Sequence, residues 1–368
     1  MKNMKIPTIA IIDDGIDPSH LSKSQPCNFF IAGLDDVQPD EKPSVSYTDF
    51  TSHATACYKI LKENTNAAHQ LISIKVLKPE TGTGTKKTLI NALKWCANHG
   101  GIDIIHMSMG TSQYLDFSSI TKAIKVLHNS VIIAACSNKN TLTLPACLPQ
   151  VIGVRHCDVK KLQNKFTYNP TPYDGIELMT HTENASNSLA APVVTARVCE
   201  YISQGVEGTD AIRKRLMEDS VQYTPDFQLY KGLLPFWENF AIPVITIPDH
   251  IPGGVDKLKA LITAFIQDGY RAVGLTLSQK TSIEDCIFKL SWQNENISLL
   301  GLIELYYNFT WPDIIFLHMG FQKISTLPEK MQADIIIGQQ TDRTSTCECL
   351  DINESAENLL IQIKGLLS

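Results

Sequence analysis

The sequence predicts an α/β fold, a doubly wound parallel sheet followed by a second, smaller α/β domain. Short unbroken apolar runs, such as Ile9-Ala10-Ile11-Ile12 and Val131-Ile132-Ile133-Ala134-Ala135, alternate with longer segments of helical periodicity. That alternation is the mark of βαβ units whose strands are covered on both faces. At 368 residues the chain also exceeds what one core usually organises. Prolines and polar residues break the periodicity from Tyr223-Thr224-Pro225 through Leu234-Pro235. The break divides the chain into a domain over 1–225, a linker over 226–240 and a domain over 241–368.

The elements follow in order. Ile9 to Ile12 reads as a buried strand ending at Asp13, with Gly15 just beyond; ligand sites of open α/β sheets lie at that carboxyl end. His53 precedes a small, helix-compatible run from Ala54 to Leu61 and sits at a helix start. Leu71 to Leu77 is a strand, Thr81 to Thr85 a glycine-punctuated loop, and Leu89 to Asn98 a helix. Ile102 to Ser108, Val131 to Ala135 and Val151 to Val154 are further strands, with a helix over Ile120 to Leu127. Ser188 opens a helix in which Pro192 falls near the first turn, where a missing N–H is tolerated.

Four stretches within this frame carry chemistry: Asp13-Asp14-Gly15-Ile16-Asp17, Ser52-His53-Ala54-Thr55, Ala135-Cys136-Ser137-Asn138 and Asn187-Ser188-Leu189-Ala190-Ala191-Pro192. A serine hydroxyl is a poor nucleophile at neutral pH. An imidazole must take its proton, and a buried carboxylate must hold that imidazole in the right tautomer. Ser188, His53 and Asp13 fit those roles, and the amide of Asn138 with the N–H of Ser188 fits the donors that a tetrahedral oxyanion needs. In type and chain order these stretches resemble the signatures of the subtilisin family. The resemblance covers roughly residues 1–205 and implies a subtilisin-like sheet and a serine endopeptidase, a hydrolase acting on peptide bonds through an acyl-enzyme. It also implies that Ser108-Met109-Gly110 binds substrate backbone as one wall of the specificity pocket, with Gly110 allowing close approach. His106, where many relatives carry asparagine, is given no role.

The departures from the family pattern matter as well. Ala54 and Ser137 stand where glycine is usual, and Ser186-Asn187 replaces Gly-Thr before the nucleophile. Left-handed backbone at any of these positions would cost roughly 1–3 kcal/mol. Taken singly, an aspartate after a strand is a turn residue, a lone histidine is structural, and a serine before a helix is an N-cap. The joint order of the motifs overrides those readings. The bulkier residues leave one alternative, a catalytically impaired pseudoprotease that serves as a peptide-binding module.

Composition bears on the compartment. The ten cysteines are scattered, apart from Cys347 and Cys349, unlike the dense framework of a small secreted domain. The amino terminus holds no signal-peptide pattern and the chain no run of about 18 apolar residues, so a cytoplasmic protein off the membrane is expected. With 38 acidic against 32 basic residues there is no basic stripe for nucleic acid. Only a dozen residues precede Asp13, fewer than a folding propeptide requires. A cytosolic peptidase without that restraint would need narrow selectivity, which favours processing of a peptide precursor. The proposed chemistry requires no cofactor. Cys347 with Cys349, His156-Cys157 and the acidic pairs Asp35-Asp36 and Asp40-Glu41 show no defensible metal-ligand spacing.

In the last third, Pro243 to Ile247, Gly269 to Leu277, Asp313 to Leu317 and Ala333 to Gly338 read as strands. Helices are expected over Val255 to Asp268 and Glu354 to Leu367. The order is similar to a P-loop domain, yet the loop Pro248 to Lys257 lacks the Gly-Lys-Ser/Thr that cradles phosphate. The pattern loosely resembles accessory proteins of peptide maturation. Residues 241–368 are therefore expected to dock a leader-bearing precursor or a partner protein.

Overall fold

The computed structural model describes residues 5–43, 52–78, 81–163, 165–222, 227–233, 242–291, 297–328, 331–339 and 347–368. The chain divides into two compact units, Met1–Ser112 with Asp116–Pro225, and Gln113–Leu115 with Asp226–Ser368.

In the first unit the strands are β1 (Thr8–Asp13), β2 (Cys27–Ala32), β3 (Val37–Pro39), β4 (Gln70–Lys75), β5 (Leu77–Lys78), β6 (Thr83–Gly84), β7 (Ile104–Met107), β8 (Val131–Ala135), β9 (Val151–His156), β10 (Phe166–Tyr168) and β11 (Leu178–Thr180). The helices are α1 (His53–Glu63), α2 (Lys86–His99), α3 (Tyr114–Lys125, from Asp116 onward), α4 (Asn187–Ser203) and α5 (Thr209–Asp219). Nine of these strands form one sheet in the order β10-β11-β9-β8-β7-β1-β4-β2-β3. Its pairings from β2 to β11 are parallel, and the two outermost, β2–β3 and β10–β11, are antiparallel. β5 and β6 form a separate two-stranded ribbon.

β1 lies in the interior of the sheet, paired with β4 on one side and β7 on the other. Ile9 through Ile12 are all buried, so both faces of the strand are covered, as an unbroken apolar run requires. Ile9 and Ile11 pack with Tyr58 and Leu61 of α1 and Val194 and Val198 of α4 in one core. That core holds the starts of α1 and α4 near the carboxyl end of β1, where Asp13 emerges. Gly15 follows at φ +96°, a conformation glycine adopts without the cost of a Cβ.

The second unit holds α6 (Phe227–Leu233), β12 (Val244–Ile247), α7 (Gly254–Gln267), β13 (Ala272–Thr276), β14 (Ile287–Lys289), α8 (Leu299–Thr310), β15 (Ile314–His318), α9 (Phe321–Ile324), β16 (Ile335–Gly338), β17 (Glu348–Asp351) and α10 (Ala356–Leu367). Its sheet runs β14-β13-β15-β12-β16-β17, parallel throughout. β12 and β13 are parallel but not adjacent, because β15 lies between them.

Two expectations need correction. Residues 226–240, read as a linker, contain helix α6; the breaks at Tyr223-Thr224-Pro225 and Leu234-Pro235 lie outside the described residues. The conditional strain at Ala54, Ser137, Ser186 and Asn187 does not arise, since none of them has positive φ. Left-handed backbone appears instead at Ala185 (φ 43°) and Asn140 (φ 55°).

Candidate active site

Asp13 leaves β1 with its side chain fully buried. One carboxylate oxygen accepts the N–H of Asp14 at 2.9 Å, and the other meets His53 Nδ1 at 2.8 Å. An acceptor-only carboxylate at Nδ1 fixes the tautomer: the proton sits on Nδ1 and the lone pair on Nε2. The hydrogen bond to Asp13 is the main cause that raises the His53 pKa, a bond to Cys57 adds to it, and burial opposes both. The imidazole itself is about one-third exposed (37%) while Asp13 is sealed, the arrangement expected of a base that must meet a substrate.

His53 is the first residue of α1. Ser52 caps that helix by accepting the Thr55 N–H at 3.2 Å. Asp14, absent from the expected site, adds a second anchor by accepting the N–H groups of His53 and Ala54 at 2.9 and 2.8 Å. It is a carboxylate on two orphan donors of a helix start. Burial, followed by the charge of Asp13, pushes the Asp14 pKa up. The doubled aspartate in Asp13-Asp14 was visible in the sequence, but the partners of the second carboxylate lie 39 and 40 residues away.

Ser188 occupies the second position of α4. Pro192 lies inside that helix, beyond the first turn, and so removes the N–H that would have bonded the Ser188 carbonyl. Ser108 Oγ donates to that carbonyl at 2.7 Å, with Cys57 Sγ a further donor at 3.7 Å. The sequence placed this proline where its missing N–H would cost nothing, whereas the structure repairs the loss with Ser108. Having given its one proton to Ser188, Ser108 Oγ accepts from Nε2 of His106 at 2.9 Å, and His106 Nδ1 meets Thr195 Oγ1 at 2.8 Å. Burial pushes the His106 pKa down to about 4, so the ring stays neutral. His106 therefore holds Ser108 in place, a role the sequence did not show because Thr195 lies on another element.

Asn138 follows β8. Its Oδ1 accepts the Asn187 N–H at 3.0 Å, which orients the amide and leaves Nδ2 as the donor end. The Asn187 side chain is buried; it donates to Ser137 O and Asn140 Oδ1 and accepts the His156 N–H at 2.7 Å. The loop after β8, the end of β9 and the start of α4 are thus tied at one residue. Ser188 N–H, next along the helix start, has no acceptor among the described residues.

Met109 and Gly110 follow Ser108 beyond β7. A Cβ on Gly110 would fall 2.5 Å from Leu144 O and 2.7 Å from Thr143 Cγ2. The close approach that demands glycine is therefore to the chain's own Thr143–Leu144 segment, not to a substrate. The adjoining Thr111 exchanges backbone hydrogen bonds with Leu144 at 2.8 and 3.0 Å.

The structure thus gathers Asp13, His53, Ser188, Asn138 and Ser108 into one site. Cys57 bridges its halves, with Sγ 3.9 Å from His53 Nδ1 and 3.7 Å from Ser188 O. One expected contact differs. Among the described residues no hydrogen bond joins Ser188 Oγ to His53; Ser188 Oγ pairs with Ser186 Oγ at 2.7 Å.

Among the described residues two clusters have ligand-like composition, Asp13-His53-Cys57 and His156-Asp158-His181. In the first, Nδ1 carries the proton shared with Asp13, and burial raises the Cys57 pKa so the thiol stays protonated. In the second, His156 Nδ1 accepts the Thr182 N–H at 3.1 Å, which leaves the proton on Nε2 to donate to Asp158 at 3.2 Å. Both are hydrogen-bonded clusters in which a ring nitrogen needed for ligation is committed.

A family model described as the subtilase family matches residues 5–217. No curated protein matches the chain. Among solved structures, a psychrophilic protease designated S41 is similar at 16% identity and TM-score 0.44, over 57% of this chain and 82% of that one. A cold-adapted subtilisin-like serine proteinase is similar at 18% identity and TM-score 0.43, over 60% of this chain and 86% of that one.

Proposed function

Since the chain belongs to the subtilase family and is a serine peptidase, we propose that it is a selective endopeptidase in which Ser188, His53 and Asp13 form the catalytic triad and Asn138 serves the oxyanion. The observation that supports this reading most is the sealed Asp13 on Nδ1 of a part-exposed His53. Ser188 Oγ attacks the scissile carbonyl carbon, its proton passing to His53 Nε2 as the C–O bond forms. Asn138 Nδ2 and the Ser188 N–H stabilise the oxyanion. His53 then protonates the departing amine as the C–N bond breaks. A water, deprotonated by the same nitrogen, hydrolyses the acyl-enzyme. Ser108 and Met109 line the cleft wall.

Among the described residues Cys27, Cys57, Cys96, Cys136, Cys147, Cys157, Cys199 and Cys286 carry free thiols, which supports a reducing, cytoplasmic setting. Among the described residues no helix is long and apolar enough to cross a membrane. Selectivity and the processing of a peptide precursor belong to the same reading, and are tested with a peptide library derived from a whole proteome. Cleavage confined to a narrow sequence set and abolished by Ser188→Ala is expected; broad cutting would contradict selectivity.

Residues 241–368 are assigned to docking of a leader-bearing precursor or partner, supported by a six-stranded α/β unit whose first loop lacks a phosphate-binding motif. Removing them is expected to raise KM for a full precursor and to spare short peptides. Equal loss on both would contradict docking.

A further inference from the structure

Ser186 is the N-cap of α4, with φ −121° and ψ 132°. Serine is favoured at that position because its hydroxyl accepts a helix N–H, yet the Ser186 side chain makes no cap bond. Its hydroxyl is instead turned to the site. It donates to Asn138 Oδ1 at 3.2 Å and lies 2.7 Å from Ser188 Oγ. A hydroxyl has one proton. With that proton on Asn138, the shorter bond must carry the proton of Ser188. The other close donors near Ser188, Ser108 and Cys57, bond to its carbonyl and leave its hydroxyl untouched.

We propose that Ser186 is a positioning latch, which in the resting site takes the Ser188 hydroxyl proton and holds it from His53 until an acyl group enters. The proposal rests on the reading of Ser188 as the nucleophile. A carbonyl oxygen bound by Asn138 Nδ2 and the Ser188 N–H brings its carbon beside Ser188 Oγ. The hydroxyl then turns, its proton passes to His53 Nε2 and the O–C bond forms, while Ser186 keeps its bond to Asn138. The latch lowers reactivity towards small electrophiles, and binding energy from a well-fitting substrate offsets it. Discrimination arises at the nucleophile itself.

The test is the second-order rate at which the full chain reacts with a small fluorophosphonate, which forms an O–P bond at Ser188, expels fluoride and passes the hydroxyl proton to His53. Ser186→Ala is expected to react about three- to tenfold faster than the wild type, the range that one hydrogen bond commands. Ser186→Thr, which keeps the hydroxyl, is expected to restore the slow rate. Melting temperatures should hardly differ, because no cap bond is lost. Equal or slower reaction of Ser186→Ala, or fast reaction of Ser186→Thr, would overturn the latch while leaving the nucleophile assignment intact. Labelling that persists in Ser188→Ala, or is absent from every variant, would instead remove the nucleophile reading, and the latch with it.

Discussion

Asp13→Asn is expected to lower kcat about 10⁴-fold while leaving the fold intact. The carboxylate accepts from Nδ1 at 2.8 Å and so keeps the Nε2 lone pair available to Ser188. An asparagine amide can donate to Nδ1, which places the ring proton on Nε2, where it cannot act as base. The pH profile supplies a second readout. His53 must be neutral to accept the Ser188 proton, and the bond to Asp13 raises its pKa above the ordinary 6.5, so activity rises with pH through that raised value. In Asp13→Asn the main cause is lost, and the acid limb of the residual kcat/KM is expected to move to lower pH. A limb that stays in place, or a loss of only a few-fold, would contradict the assignment of His53 as the base oriented by Asp13. Measuring kcat/KM from acid to alkaline pH on both proteins decides it.

The second large effect concerns stability. Arg155 in β9 and Asp174 are both fully buried and form an ion pair. Asp174 also accepts the Ile176 N–H at 3.1 Å, and β9 delivers His156, whose N–H holds Asn187 beside the nucleophile. Asp174→Ala breaks this buried ion pair by removing one partner, which costs about 3–5 kcal/mol. For a unit of this size that corresponds to a fall in melting temperature of roughly 10 °C. Activity at low temperature should persist, because no catalytic atom is touched. A calorimetric scan showing a shift of only a degree or two would place the pair among groups that water still solvates.

How much of this was legible in the sequence varies with the range of the interaction. β1 and its terminal Asp13 could be read because an unbroken apolar run ending in a turn is a local signal. The starts of α1 and α4 could be placed because each motif residue is followed by small helix-compatible residues. The short strands β10 and β11, three residues each, and the half-exposed β2 carry too little periodicity to register. α8 gives no clear helical signal in the sequence, because Gly301, Glu304 and Asn308 interrupt its apolar run.

Within the site, the residue types came from local pattern, whereas their supports came from tertiary structure. Asp14 is adjacent to Asp13, yet its purpose depends on where α1 starts. His106 acts through Ser108 on a carbonyl freed by Pro192, a chain that runs from β7 and the residue after it to α4. Ser186 could be marked as a departure from glycine, but its bond to Ser188 could not be foreseen from bulk alone.

Labelling of the purified full chain by a fluorophosphonate, read by intact mass beside Ser188→Ala, tests the central claim most directly. A single adduct on the wild type and none on the variant is the result expected of a serine made nucleophilic by His53 and Asp13. A folded wild type that takes up no adduct, or a variant that still does, would contradict it.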